Sequence, residues 1–174
     1  PSGSDRILAA LDQYDPDEKH DVVINLQGDM PFVDPAIVRT LVDCFTDHPG
    51  LRMATLVAPE ASPADRSNPD VVKAVLSLAR DADFGRALYF TRSTLYGEGP
   101  IWRHIGLYGY RRDALRQFVE AAPPTPLEVR EKLEQLRALE LGVEIWAAVI
   151  DAAQISVDNP SDLEAARAYA KANP

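Results

Sequence analysis

The sequence predicts a single α/β domain over residues 1–174, a mixed, mostly parallel sheet flanked by helices in a Rossmann-like arrangement, with an antiparallel excursion in its middle. Three observations carry that expectation. Short apolar, β-branched runs alternate with longer runs of helical period, as strand–helix–strand units do. The first such run, Val22 to Leu26, is apolar throughout and is bounded by Asp21, Gly28 and Pro31, which marks a strand covered on both faces. Between Val71 and Tyr110, β-rich segments follow one another with only loop residues between them, which suggests hairpin pairing.

Taken in order, Ser4-Asp5-Arg6 opens a helical pattern with Ile7, Leu8, Leu11 and Tyr14 on one stripe, capped at Ser2 or Ser4 and ended by Asp15-Pro16-Asp17. The Val22–Leu26 strand and its glycine turn follow. Asp34-Pro35 starts a second helix, a capping carboxylate before proline at the first helical position. Ile37, Val38, Leu41, Val42 and Phe45 recur at its spacing, and Pro49-Gly50 stops it. Strands are expected at Met53–Val57, Val71–Leu78, Ala87–Phe90 and Ile105–Tyr110, with polar loops at 59–69 and 94–100 and a turn at 81–85. A helix from Asp113 to Ala121 precedes the Pro123-Pro124-Thr125-Pro126 break. One continuous helix is then expected over Leu127–Leu141, with Gly142 at its C-terminal cap. A strand over Glu144–Ile150 and a last helix over Ser161–Lys171, launched by Asn159-Pro160, complete the chain.

Composition narrows the partners. A net charge of −9 and a pI near 4.8 argue against nucleic-acid binding, which needs a basic footprint. An acidic protein can still hold a nucleotide if a divalent cation and a few local Lys or Arg neutralise its phosphates. Cys44 is the only cysteine, so no internal disulfide forms and a reducing, cytoplasmic location is expected. His20, His48 and His104 lack metal-ligand spacing. No apolar run approaches the roughly 20 residues of a membrane span, and no signal peptide is present.

Two carboxylates end strand-like runs. Asp29 sits in Asn25-Leu26-Gln27-Gly28-Asp29-Met30-Pro31 and Asp158 in Val157-Asp158-Asn159-Pro160. Each taken alone reads first as local capping, of a turn or of a helix start. A doubly wound sheet, however, brings such strand ends to one edge, where ligands bind. Mg²⁺ is held by one or two carboxylates plus substrate phosphates, so the pair suits phosphoryl or nucleotidyl chemistry.

The stretch Asn25 to Pro31 resembles the strand-turn signature of the sugar-acid cytidylyltransferases, and within them the family acting on 3-deoxy-manno-octulosonate (Kdo). Ser2-Gly3-Ser4-Asp5-Arg6 is similar to that family's Ser-Gly-Thr-Asp-Arg segment, and Asn68-Pro69 with Val72-Lys73 to its Asn-Pro-x-x-Val-Lys. Leu88-Tyr89-Phe90-Thr91-Arg92 resembles Leu-Tyr-Phe-Ser-Arg, and His104 to Arg111 resembles His-x-Gly-x-Tyr-x-Tyr-Arg. Pro126-Leu127-Glu128 with Leu133 to Arg137 matches a Pro-Leu-Glu…Leu-Glu-Gln-Leu-Arg helix, and Val157 to Leu163 matches Val-Asp-Thr-Pro-x-Asp-Leu.

The resemblance implies a nucleotide-diphospho-sugar transferase-like fold and transfer of CMP from CTP to Kdo, with release of pyrophosphate, in lipopolysaccharide synthesis. It implies that Asp29 and Asp158 ligate Mg²⁺, with Arg92 as a catalytic-site cation suited to the sugar-acid carboxylate. His104, Tyr108, Glu134 and Gln135 would line the sugar pocket, Ser4 and Arg6 would sit by the nucleotide, and Gln27 by the sugar or the metal. Lys73 is implied to bind substrate. Without the resemblance, Arg92 reads as a surface charge, His104 as a core histidine, Tyr108 as sheet packing, and Glu134 and Gln135 as a solvated helix face. A homodimer is implied too, and the segment from Val71 to Tyr110 is the expected interface. Two departures stand out: Met30 replaces an acidic residue found in many members, and the family's opening strand and basic, glycine-containing triphosphate loop have no counterpart here. The natural protein is therefore expected to be longer. The alternatives are a cytidylyltransferase for another, sialic-acid-like sugar acid, and a non-catalytic nucleotide-binding remnant.

Overall fold

The structure is a computed structural model and describes residues 2–121, 124–152, 155–157 and 160–173. Its frame is a six-stranded sheet in the order β1-β5-β2-β6-β4-β3. The strands are β1 (Val22–Asn25), β2 (Met53–Pro59), β3 (Lys73–Ser77), β4 (Phe84–Thr91), β5 (Trp102–Arg111) and β6 (Ile145–Val149). The helices among the described residues are α1 (Gly3–Tyr14), α2 (Pro35–Asp47), α3 (Arg112–Glu120), α4 (Pro126–Glu131), α5 (Gln135–Glu140) and α6 (Pro160–Ala172). A short 3₁₀ turn, Pro63–Arg66, interrupts the loop after β2.

The helix starts follow their capping residues. The Ser2 hydroxyl accepts from the Asp5 N–H while the Asp5 carboxylate accepts from the Ser2 N–H, a reciprocal cap on α1. Asp34 accepts from the Ala36 N–H with Pro35 behind it, as expected for α2. Strand β2 is one of the two central strands of the sheet and is buried from Met53 to Ala58. Helix α2 covers one face with Leu41 and Phe45 over Ala54, Leu56 and Leu107. Helices α1, α3 and α5 cover the other, where Leu8, Leu115, Phe118 and Leu136 pack on Met53, Val57 and Ile145. The two layers make the α/β sandwich predicted from the alternation of elements.

The sheet is mixed, as expected, but its pairings are less parallel than strand–helix alternation suggests. β1, β2, β3 and β6 run one way and β4 and β5 the other, and β2–β6 is the one parallel pairing among the described strands. The antiparallel excursion is not peripheral. β4 and β5 insert beside β6 and β2, and the first residues of β5, Trp102 and Arg103, also pair with Ala74 and Lys73 of β3. Gly109 of β5 lies against the Phe45 ring so closely that a Cβ there would fall 2.4 Å from Phe45 Cε2. Glycine is what lets α2 approach the sheet at this point.

Two helical expectations fail. Tyr14, placed on the buried stripe of α1, is 81% exposed, because the helix ends there and its last residue overhangs the sheet. The single helix expected over Leu127–Leu141 is two, α4 and α5, broken at Lys132 in the left-handed conformation (φ 56°, ψ 43°). The break lets Leu133 turn into the core, where it is 5% exposed, and re-aims the residues that follow. Gly142, with φ 74°, does close α5 as expected: its N–H donates to Leu139 O and that of Val143 to Ala138 O.

Candidate active site

A cleft of about 580 Å³ opens at the sheet edge where β1 ends and β5 begins, within the range of small-molecule sites. Among its lining residues are Ser4 and Arg6 from α1, Gln27 and Asp29 from the turn after β1, and Arg92 after β4. His104 and Tyr108 come from β5, and Glu134 and Gln135 from the start of α5. These residues, scattered over most of the sequence, are the ones the motifs marked. Three elements gather them: the glycine turn after β1, the break at Lys132, and an irregularity in β5. In the pairing with β2, Thr55 lies opposite Tyr108 and Leu56 opposite Ile105, so Gly106 and Leu107 have no partner on β2. That bulge turns this stretch of β5 toward the cleft. The Gln27 side chain spans the gap, its Nε2 donating to Gly106 O at 2.6 Å.

The wall made by β5 and α5 is held by hydrogen bonds. His104 Nε2 lies 3.1 Å from the Thr55 hydroxyl. Burial, aided by the Arg92 guanidinium, pushes the imidazole down to about 3, so the ring is neutral. Burial, then Tyr110 and Glu134, hold the Tyr108 phenol well above its ordinary value. Glu134 Oε1 accepts from the Ser4 hydroxyl at 2.9 Å and faces Arg137 at 3.8 Å. Arg137 is buried. It pairs with Glu128 through Nε at 2.7 Å and stacks 5.0 Å from the centre of the Phe118 ring. The implied nucleotide-side Ser4 and sugar-side Glu134 are therefore in direct contact.

The opposite wall is less committed. Asp29 Oδ1 is buried with no hydrogen-bond partner among the described residues, a costly state for a carboxylate oxygen unless a donor or a cation reaches it. The main-chain N–H of Val157 donates to Asp29 O at 2.9 Å, which brings the second acidic segment alongside the first. Asp158 itself lies outside the described residues. An orphaned carboxylate oxygen on a hard, oxygen-bearing turn fits a Mg²⁺ ion.

Lys73 does not meet its expectation as a substrate ligand. It is fully buried, and its ammonium donates inward to Asn68 O at 2.9 Å and Arg92 O at 2.7 Å. A lone ammonium in a β-strand core must find carbonyls, and these two hold the loops that carry the cleft's Arg92. Arg92 is exposed and donates through Nη1 to Pro69 O at 3.1 Å. Thr55 lies outside the motifs, and Tyr110 and Arg137 lie inside them with no site role implied. Tyr110 lines the cleft, and the other two orient His104 and Glu134. A threonine alone among apolar residues in a buried strand was the available signal for the first.

An α/β sheet with a cleft at this edge is the architecture of nucleotidyltransferases. UDP-glucose pyrophosphorylase in complex with UDP-glucose shares the fold at a TM-score of 0.66 and 11% identity, over 98% of this chain and 62% of that one. A family model described as cytidylyltransferase matches residues 1–145, and the chain belongs to that family, among its 3-deoxy-manno-octulosonate cytidylyltransferases. Relatives of that name from Parvibaculum lavamentivorans and Rhodospirillum centenum are each 54% identical over 97% of this chain and over 64% and 65% of their own lengths. The solved structure of CMP:2-keto-3-deoxy-manno-octonic acid synthetase complexed with CTP superimposes at a TM-score of 0.86 and 34% identity, over 99% of this chain and 69% of that one. The chain thus spans about two thirds of the length of the curated relatives it matches.

Proposed function

We propose that the protein to which this chain belongs transfers CMP from CTP to Kdo, forming CMP-Kdo and pyrophosphate for lipopolysaccharide synthesis. The observation that carries the reading is the single cleft joining Asp29, Arg92, His104 and Glu134 at one sheet edge, in a chain of the cytidylyltransferase family. Arg92 offers a planar guanidinium to the sugar-acid carboxylate. His104, Tyr108, Glu134 and Gln135 present hydrogen-bonding groups to sugar hydroxyls. Ser4 and Arg6 flank the nucleotide. Asp29, with Asp158, would hold Mg²⁺, which when bound neutralises phosphoryl oxygens at the reacting phosphorus. The reaction is then one of positioning and charge neutralisation: the anomeric hydroxyl of Kdo attacks the α-phosphorus of CTP, and pyrophosphate departs. No protein nucleophile is needed.

The assay is pyrophosphate release by the full-length protein from CTP and Mg²⁺, with Kdo and a sialic acid side by side. Turnover with Kdo alone is the expected result, and turnover with the sialic acid instead would reassign the substrate. Binding of CTP without turnover on either sugar would make the protein a nucleotide-binding module. The reading includes a cytoplasmic homodimer joined through residues 71–110, where Tyr96 is 92% exposed. A monomeric mass in solution would remove that part. No helix among the described residues is long and apolar enough to cross a membrane.

A further inference from the structure

Thr55 is the one polar side chain in β2 and is fully buried. A hydroxyl in a core needs partners for its proton and its lone pairs. The β5 bulge supplies them. Thr55 Oγ1 lies 3.1 Å from Ile105 O and 2.9 Å from Leu107 O, and 3.1 Å from His104 Nε2. The two carbonyl oxygens can only accept. They draw the single hydroxyl proton between them, and a lone pair turned toward either would be repelled. What the hydroxyl offers the imidazole is therefore a lone pair, and the ring nitrogen facing it must bring the proton. The neighbouring Tyr108 phenol, whose hydroxyl has no hydrogen-bond partner among the described residues, is kept neutral by burial and puts no charge on this hydroxyl.

We propose that Thr55 is a positioning residue that fixes His104 as the tautomer protonated on Nε2, leaving Nδ1 as the ring's acceptor for a hydroxyl of the bound substrate. The ring lines the cleft, and the adjacent Arg92 cation opposes a second proton on it. In a neutral imidazole one nitrogen donates and the other accepts, so the bond made behind the ring sets what its open side can read. Discrimination follows. A sugar with a hydroxyl at that place is bound, and the deoxy analogue leaves a desolvated acceptor unpaired. The choice of a sugar hydroxyl as the donor rests on the proposed function. The tautomer does not.

The test separates the two. Long-range ¹H–¹⁵N spectra of the full-length protein near neutral pH, with the His104 signals identified by their loss in His104→Asn, report which nitrogen carries the proton. The expected result is an unprotonated Nδ1 and a slowly exchanging Nε2–H. That N–H signal should vanish in the nearly isosteric Thr55→Val and return in Thr55→Ser. In steady-state assays Thr55→Val should raise KM for the sugar acid about tenfold, the worth of one hydrogen bond, with KM for CTP unchanged and Thr55→Ser restoring it. A proton on Nδ1 in the unaltered protein overturns the proposal, as does a folded Thr55→Val that keeps the Nε2–H signal and the KM. If Thr55→Val does not fold, the spectra of the unaltered protein and of Thr55→Ser still decide. Absence of CMP-sugar synthesis by the unaltered protein would defeat the functional reading, while the spectrum would still settle the tautomer.

Discussion

The two walls of the cleft are built on opposite principles. On the β5–α5 wall most of the charged and amide groups already have partners, Gln27 on Gly106 O, His104 on Thr55, Glu134 on Ser4 and Arg137, while the buried Tyr108 hydroxyl has none among the described residues. On the wall made by the turn after β1, Asp29 keeps a buried oxygen with none. The first wall is preorganised, so its groups need little rearrangement to read a neutral, hydroxyl-rich ligand. The second is electrostatically unfinished, as a site for a cation and phosphates should be before they arrive. One wall recognises, and the other waits for charge.

The largest effect expected from breaking this contrast is on the partnered wall. Arg137→Met removes the cation beneath Glu134 and leaves the mostly covered Glu128 carboxylate without its counter-charge. Breaking a buried pair from one side costs about 3–5 kcal/mol. Urea unfolding should show a loss of that order, and KM for the sugar acid should rise in the fraction that stays folded. Retained stability would mean that the pair contributes only surface-like charge. On the unfinished wall, Asp29→Asn should do the reverse. The midpoint of unfolding should hardly move, since the buried Oδ1 has no hydrogen-bond partner to lose among the described residues, while turnover falls by about 10²–10³-fold, as when a transition-state electrostatic contact is removed. A variant with near-normal turnover would remove Asp29 from the proposed metal site.

A third change tests whether the bulged strand depends on its packing from behind. Gly109→Ala drives a methyl group into the Phe45 ring, which is 3% exposed and cannot swing into solvent. Overpacking of this kind costs about 1–3 kcal/mol. KM should stay unchanged if the shift is absorbed by α2, and should rise if β5 yields instead. Measuring both tells which face of the strand is the softer one.

The uncommitted wall was far more legible in the sequence than the partnered one. Asp29 announces itself because a glycine turn at the end of an apolar strand is a local signal, as are the caps at Ser2 and Asp34 that fix where α1 and α2 begin. The partnered wall depends on contacts between distant segments. That β5 carries two unpaired residues opposite Thr55 and Leu56 is a property of strand pairing, which no local pattern encodes. The left-handed Lys132 that splits α4 from α5 is not a residue type that predicts a break, and the helical period runs across it. Lys73 shows the same limit from the other side. Its position in the family-like motif suggested a ligand, but whether an ammonium points into a cleft or onto two carbonyls is decided by the loops around Asn68 and Arg92. The family resemblance located these residues on one site. Only the packing assigned their work.

The smallest expected effect reads the partnered wall through its neutral histidine. The folded imidazole of His104 takes a proton only near pH 3, whereas its ordinary value is 6.5. Between those values the unfolded chain binds a proton that the folded one refuses, so acid favours unfolding. The contribution is complete above about pH 6.5 and is lost progressively as pH falls toward 3, at most about 1.4 kcal/mol per pH unit. The carboxylates of Asp15 and Glu131, held low in the folded state by their hydrogen-bond donors and arginine neighbours, add their own losses mainly below about pH 4.5. Between about pH 6.5 and 4.5 the contribution of this ring is read from the difference between the unaltered protein and His104→Asn. Urea midpoints of the unaltered protein should fall across that window, and those of His104→Asn should fall less steeply, whatever the absolute stability of the variant. Equal slopes would mean that the ring takes up its proton in the folded state at ordinary pH, and the wall would then present a cation to the sugar instead of an acceptor.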